Sequence, residues 1–326
     1  MTPVETLIGT ATAYWLSRSL HVVATLGVAD AIGDAPRDVQ AVARESGADA
    51  AALSRVVRLL AAYGIFTHDG HMVGHTPASL MLRSDHPQTL RPFVRFVGSP
   101  MCWNGFRELE YAVCTGSPAI NKIDPSGVFG YFASHPEESV LFNDAMTARA
   151  HGQVASVLAS YDFSGFRTVA DIGGGRGHLI HAVVEANPGV TGILFDRPQV
   201  VSEAQVIASD RLRLQRGDFF VDPLPAADAY LIMEVIHDWE ESKAIAILRA
   251  IRQAASASSV LLLLENIVPD TAGPHWAKAL DLMMMVGPGG RERTRAEYEA
   301  LLSHADFRVT RILETATISI IEARPK

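Results

Sequence analysis

Cysteine is nearly absent: Cys102 and Cys114 are the two among 326 residues. Two cysteines build no disulfide framework and fit a reducing compartment, and both read as small buried hydrophobes. Lysine is scarce as well. Lys122, Lys243, Lys278 and Lys326 are four of 28 basic residues, a bias with no physical account. No apolar run approaches the ~18 residues of a membrane span, so no membrane partner is expected. The first twenty residues have Glu5 early and Arg18 late, without the basic start, apolar core and cleavage site of a secretory signal. The chain therefore reads as soluble and cytoplasmic. Positive charge is in deficit, with a formal net charge of −8, so DNA and anionic lipid are poor electrostatic partners.

What is present is ordinary globular composition, 48% hydrophobic and 20% charged, at a length that suggests about two domains. The first 160 or so residues are mostly helical by apolar spacing. Leu7, residues 10–16 and residues 20–26 place apolar side chains three and four apart. Asp38 starts a short helix over 39–45. Asp49 can cap a second over 50–63, whose Leu53, Val56, Val57, Leu60 and Ala61 form a stripe. Residues 65–67 and 72–73 then read as two short strands around a turn. Helix, turn, helix and hairpin make a winged-helix pattern. A DNA-reading helix needs basic and amide side chains toward the groove, and this one offers only Arg55 and Arg58. A winged helix reused for subunit contacts is the better reading. His68, His71 and His75 would be split over both hairpin faces and read as surface residues, not a metal site.

Residues 90–160 carry many large side chains, among them Trp103, Phe142 and Met146. Aromatic stripes at helical spacing are usually core, but these exceed what a small helical segment needs, and some can line a pocket for a flat ligand. From Phe166 onward short β-rich runs (168–172, 192–195, 212–215, 229–233, 259–265) alternate with helices near 177–187, 199–208 and 241–255. That alternation implies a parallel sheet with crossover helices. Two final strands, 307–313 and 317–322, make an antiparallel hairpin. The fold class expected is α/β, a Rossmann-like doubly wound domain behind a helical, winged-helix N-terminal part.

Asp171-Ile-Gly-Gly-Gly-Arg-Gly177 closes the first strand of that sheet and opens a helix. Gly173, Gly175 and Gly177 are spaced by two, unlike the dinucleotide fingerprint. A carboxylate at the turn repels a pyrophosphate and accepts from an ammonium. Asp171 thus favours an amino-acid-bearing nucleoside over NAD. Asp196 ends the next strand, where a carboxylate can accept both ribose hydroxyls; its bland alternative is a helix cap before Pro198. Asp218 can accept from an adenine amino group while Phe219 packs on the ring, or Asp218 is simply a turn residue.

The following segments are YLIMEVIHDW at 230–239, LLLEN at 262–266 and GGRERT at 289–294. With FNDAM at 142–146, DIGGGRG at 171–177 and GDFF at 217–220, they make the chain resemble the S-adenosylmethionine-dependent small-molecule O-methyltransferases of the caffeate and acetylserotonin type. The likeness is closer to bacterial antibiotic-tailoring members, such as mitomycin and phenazine methyltransferases, and covers nearly the whole chain.

The resemblance implies a class I methyltransferase domain using S-adenosylmethionine and no metal. In it Gly173 and its neighbours cradle the methionine part, Asp196 binds ribose, and Asp218 and Phe219 bind adenine. It implies His237 as general base flanked by Glu265 and Glu292, and Met146 and Met284 gripping an aromatic acceptor. Met233 stands beside the cofactor where many relatives carry Lys or Arg, so an ionic contact is missing there. The division implied is a winged-helix dimerisation domain over 1–95, a helical acceptor-pocket segment over 96–160 and a catalytic domain over 161–326, with the first forming a homodimer. The chemistry also stands without the name. A neutral histidine, of pKa about 6.5, can take a phenolic proton as the new bond forms, and a carboxylate on its other nitrogen orients it. Asp238 reads as the cap of the next helix, outside the catalytic set. Alternatives on the same fold are N- or C-methylation and cofactor-assisted decarboxylation or hydroxylation. A ligand-sensing winged-helix regulator would leave His237, Glu265 and Glu292 unused.

Overall fold

The computed structural model describes residues 2–326 and divides into two compact units. Among the described residues the first comprises 2–104 and 132–149, the second 105–131 and 150–326.

The first unit begins with the helix Pro3–Thr25. Thr2 and Glu5 close a reciprocal capping box over its first turn, and Pro3 occupies a position that needs no N–H donor. Asp38 caps Val39–Glu45 by accepting from the Gln40 and Ala41 N–H groups at 2.9 and 3.1 Å. Asp49 caps Ala50–Ala62 through the Ala52 N–H at 2.8 Å. The stripe read from the sequence buries Leu53, Val57 and Leu60 against Val28, Ile32 and Val42.

The wing has one strand more than expected. β1 (Arg37–Asp38) pairs antiparallel with β3 (Met72–His75), and β3 pairs with β2 (Phe66–His68). Two residues before a cap carry no periodicity, so their pairing leaves no mark in the sequence. His71 is exposed, as expected, whereas His68 and His75 are half-buried, and His75 Nδ1 lies 3.0 Å from the Ser79 hydroxyl. Cys102 is buried here; Cys114, in the second unit, is exposed rather than buried.

The second unit is built on β4 (Thr168–Ile172), β5 (Thr191–Asp196), β6 (Leu212–Arg216), β7 (Ala229–Met233) and β8 (Val260–Glu265), all parallel. A minor pair, β9 (Ile267–Val268) and β10 (Arg293–Thr294), lies outside the main sheet. β11 (Phe307–Glu314) and β12 (Ser319–Pro325) finish the main sheet as an antiparallel hairpin against β8, giving the order β11-β12-β8-β7-β4-β5-β6. Period-two alternation sorts the side chains between two cores. Leu262 and Leu264 go to one face with Val169 and Leu231. Leu261 and Leu263 go to the other with Ala170, Tyr230 and Ile232. Both faces are covered, which is why these strands read as near-continuous apolar runs.

From β4 the chain winds one way through β5 and β6, then returns to β4's other side as β7 and β8. Such a reversal opens a crevice at the carboxyl ends of the strands, where doubly wound sheets bind ligands. Among the described residues no helix is long and apolar enough to cross a membrane.

Candidate active site

The glycine-rich loop leaves β4 at that crevice. Gly173 and Gly175 take φ of 69° and 60°, the left-handed region that side chains disfavour. Gly175 N–H donates to Asp196 Oδ2 at 2.8 Å, and Arg197 N–H donates to Oδ1 at 2.7 Å. The expected carboxylate at the end of β5 therefore steadies the loop, and it does not cap the next helix, whose N-cap is Arg197.

Asp171 is 1% exposed, and its Oδ1 has no hydrogen-bond partner. Burial, and then repulsion from Asp196, push its carboxyl up to about 7, against the Ile180 N–H that favours the charge. Burial raises Asp196 as well, opposed by the Arg197 and Gly175 N–H groups. An orphaned acceptor near the end of β4, beside a turn that glycines keep open, suits a ligand carrying an N–H donor.

Asp218 is a turn residue, accepting from Phe220 N–H at 2.9 Å. The Phe219 ring borders the loop: a Cβ on Gly173 would lie 3.6 Å from it. Phe219 and Phe220 pack edge-on against Trp239, at centroid distances of 6.1 and 4.9 Å. Met233, at the end of β7, packs onto the core as a half-buried side chain.

β7 leads into a tight 3-10 turn, Ile236–Asp238, that presents His237. Its Nδ1 lies 2.8 Å from Glu292 Oε1 and 3.4 Å from Glu265 Oε2. Glu265 ends β8 and Glu292 immediately precedes β10. The β9–β10 pairing, Arg293 opposite Ile267, brings the two carboxylates to one imidazole. Glu265 Oε1 accepts from Ile236 N–H at 2.9 Å, and Glu292 N–H donates to Asp281 at 2.9 Å. His237, Glu265 and Glu292 are all buried. Each offers one ligand-type atom, all within 4.8 Å of one another, a spacing a cation can also bridge.

Burial pulls the imidazole pKa down. Glu265, the hydrogen-bonded Glu292 and Asp238 outweigh it and hold His237 up at about 10. Burial, with repulsion from Glu292 and Glu234, raises Glu265 to about 8 in spite of the imidazole.

Asp238 does not cap the next helix. Glu240 does, accepting from Ser242 N–H, while Asp238 turns back to 3.6 Å from His237 Nε2. Burial pushes its carboxyl up to about 6, although the imidazole draws it down. Asp238 is the last residue of the 3-10 turn, and the capping position falls two residues later, at Glu240.

Two supports escaped the sequence reading. Arg293 is fully buried, and its guanidinium donates to the Ile236 carbonyl at 3.2 Å and the Trp239 carbonyl at 3.1 Å, holding both ends of the histidine turn. Gly290 lies against the same turn, and a Cβ there would sit 1.9 Å from the His237 carbonyl oxygen. Both lie in the GGRERT segment at 289–294, beside Glu292. Of the acceptor-contacting residues expected, Met284 is buried in the second unit, on the helix Trp276–Val286. Trp103, Phe142 and Met146 belong to the first unit. There Phe142 joins Phe96 and Phe132 at 5.3 and 4.9 Å, and Trp103 meets His21 edge-on at 6.4 Å.

Residues 106–308 match the model of the O-methyltransferase domain, and residues 8–85 match that of the O-methyltransferase dimerisation domain. A phenazine O-methyltransferase of Lysobacter antibioticus is 38% identical over 96% of this chain and 94% of its own. A mitomycin biosynthesis 6-O-methyltransferase of Streptomyces lavendulae is 34% identical over 95% and 91%. The solved structure of NcsB1, an O-methyltransferase from neocarzinostatin biosynthesis, holds S-adenosyl-L-homocysteine and 1,4-dihydroxy-2-naphthoic acid. It superposes with a TM-score of 0.79 at 31% identity over 96% of each chain. The chain therefore belongs to the O-methyltransferase family, with S-adenosylmethionine as its cofactor.

Proposed function

We propose that this enzyme methylates a phenolic or enolic hydroxyl of an aromatic secondary metabolite, with His237 as general base. The observation that carries the reading is the buried imidazole whose Nδ1 is engaged by Glu292 at 2.8 Å. That contact commits Nδ1 to donating and leaves Nε2 for the acceptor's proton. When bound, S-adenosylmethionine supplies a methyl group already activated by its sulfonium. The chain's own residues then have two tasks, holding the reactants in line and receiving a proton.

Asp171, with its unpartnered buried oxygen, would accept from the ammonium of the methionine part, and Gly173 and Gly175 leave that part room. Asp196 would turn its carboxylate to the ribose hydroxyls. Asp218 and Phe219 would receive the adenine, and Met233 would pack beside the cofactor without an ionic contact. Neutral His237 takes the hydroxyl proton at Nε2 as the O–CH₃ bond forms, and Glu292 and Glu265 stabilise the imidazolium. Met146, Trp103, Phe142 and Met284 would contact the acceptor. The naphthoic acid bound by the NcsB1 relative supports an aromatic acceptor. The match to the dimerisation model, and the exposed Val4, Leu7, Ile8, Tyr14 and Trp15 on the first helix, support a homodimer built through residues 1–95.

Calorimetric titration with S-adenosylhomocysteine, wild type beside Asp196→Ala, tests the cofactor assignment. Micromolar binding lost in the variant supports it; equal binding in both overturns the role of Asp196.

A further inference from the structure

Three carboxylates face the ring nitrogens of His237. Glu292 Oε1 and Glu265 Oε2 lie 2.8 and 3.4 Å from Nδ1, and Asp238 Oδ1 lies 3.6 Å from Nε2. One N–H on Nδ1 serves one oxygen well, and the 2.8 Å contact to Glu292 takes it. Glu265 Oε2 and Glu292 Oε2 stay buried without a hydrogen-bond partner, on residues 0% and 4% exposed. An interior carboxylate oxygen without a donor costs free energy unless a proton or a cation meets it.

The spacing also fits a small ion. In a tetrahedral shell with bonds of about 2.0–2.1 Å, neighbouring ligand atoms stand about 3.3 Å apart. The two contacts to Nδ1, 2.8 and 3.4 Å, fall on either side of that separation. Among the described residues no other group of three His, Cys, Asp or Glu side chains comes this close together. The ligands are held as well. Glu265 Oε1 accepts from the Ile236 N–H at 2.9 Å, which leaves Oε2 as the free oxygen. Arg293 grips both ends of the turn that carries His237. Outer contacts of this kind fix the geometry of a metal's ligands. One imidazole nitrogen with two carboxylates suits Zn²⁺, whereas Mg²⁺ and Ca²⁺ favour fuller shells of oxygen.

We propose that Zn²⁺ inhibits this enzyme by binding His237 Nδ1 and the carboxylates of Glu265 and Glu292, with water as its fourth ligand. The Nδ1 lone pair forms the bond to the ion. From the imidazolium, the Nδ1 proton leaves to solvent and Nε2 keeps its own. From the neutral ring, the Nδ1 proton is transferred to Nε2. In both cases Nε2 ends protonated and cannot take the proton of a hydroxyl. The ion is thus an inhibitor and not a cofactor. As a binding site the assignment stands on the distances; as inhibition it rests on the general-base role proposed above.

The test is calorimetric titration of the untagged full chain with zinc chloride and, separately, magnesium chloride. Wild type should bind one Zn²⁺ with micromolar affinity and Mg²⁺ no more tightly than millimolar. The double variant Glu265→Gln with Glu292→Gln, checked as folded by thermal denaturation, should bind Zn²⁺ about a hundredfold more weakly, since loss of even an outer partner costs about 10–100-fold. Zinc-edge X-ray absorption on wild type should show nitrogen and oxygen at about 2.0–2.1 Å with imidazole scattering. His237→Gln should lose that scattering, which decides the matter even where the double variant does not fold. Micromolar zinc should abolish labelled methyl transfer, and a chelator should restore it. No zinc binding tighter than millimolar, equal affinity in the folded double variant, or imidazole scattering unchanged in His237→Gln overturns the proposal. Failure of the general-base reading looks different: zinc binds and the variants lose it, yet methyl transfer continues at saturating zinc.

Discussion

Glu292 Oε1 lies 2.8 Å from His237 Nδ1, and neither residue is accessible to solvent to any useful degree. That distance links sequence, fold and chemistry. The two residues are 55 positions apart, joined through the register of a two-residue strand pair that no propensity argument would have found.

The pair sets the pH dependence. With burial outweighed by Glu265, Glu292 and Asp238, the imidazole holds its proton up to about 10, and only the neutral form acts as base. kcat/KM should therefore rise with pH across the neutral and alkaline range. Glu292→Gln removes one interaction that favours the imidazolium, so the rising limb should move to lower pH while the maximum falls. A pH–rate profile of both proteins checks this; a limb that moves upward contradicts it.

Asp171 should trade stability for binding. Its carboxyl is raised to about 7, chiefly by burial. A group whose folded pKa is raised binds protons more tightly in the folded state, so stability falls as pH climbs from about 4 to about 7. Asp171→Asn should raise Tm at pH 8, leave it nearly unchanged at pH 4, and weaken S-adenosylhomocysteine binding. An accompanying sign is proton release when S-adenosylmethionine binds wild type near pH 7, read by titration in buffers of different ionisation enthalpy.

Gly290 and Arg293 should behave as positioning residues. Gly290→Ala places a methyl group 1.9 Å from the His237 carbonyl, and forced close contacts cost about 1–3 kcal/mol. Arg293→Met leaves the Ile236 and Trp239 carbonyls without their donor, about 1–3 kcal/mol for buried groups. Both variants should lower kcat more than they change KM for S-adenosylmethionine, and both should melt earlier.

The parallel strands were legible because burial on both faces writes long apolar runs. Strands Thr168–Ile172 and Ala229–Met233 match the runs read from the sequence. The caps at Asp38 and Asp49 were legible because a short carboxylate before an apolar stripe has one local use. What escaped was set by tertiary contact. Strand β1 and the β9–β10 pair are two residues each and exist only because a partner lies alongside. Asp238 does not cap because it ends the 3-10 turn itself, two residues before the N-cap Glu240. Arg293 was passed over because a buried guanidinium serving carbonyls looks, in sequence, like any surface arginine. The histidine and its two glutamates could be named from residue type and family likeness, while their convergence is a property of the fold.

The most direct measurement is transfer of labelled methyl from S-adenosylmethionine to 1,4-dihydroxy-2-naphthoate by wild type and His237→Gln, with S-adenosylhomocysteine affinity determined for both. A lost general base removes about 10²–10⁴ in rate. The account predicts a loss of that order in His237→Gln, with the affinity unchanged within twofold. Equal transfer rates in the two proteins would contradict it.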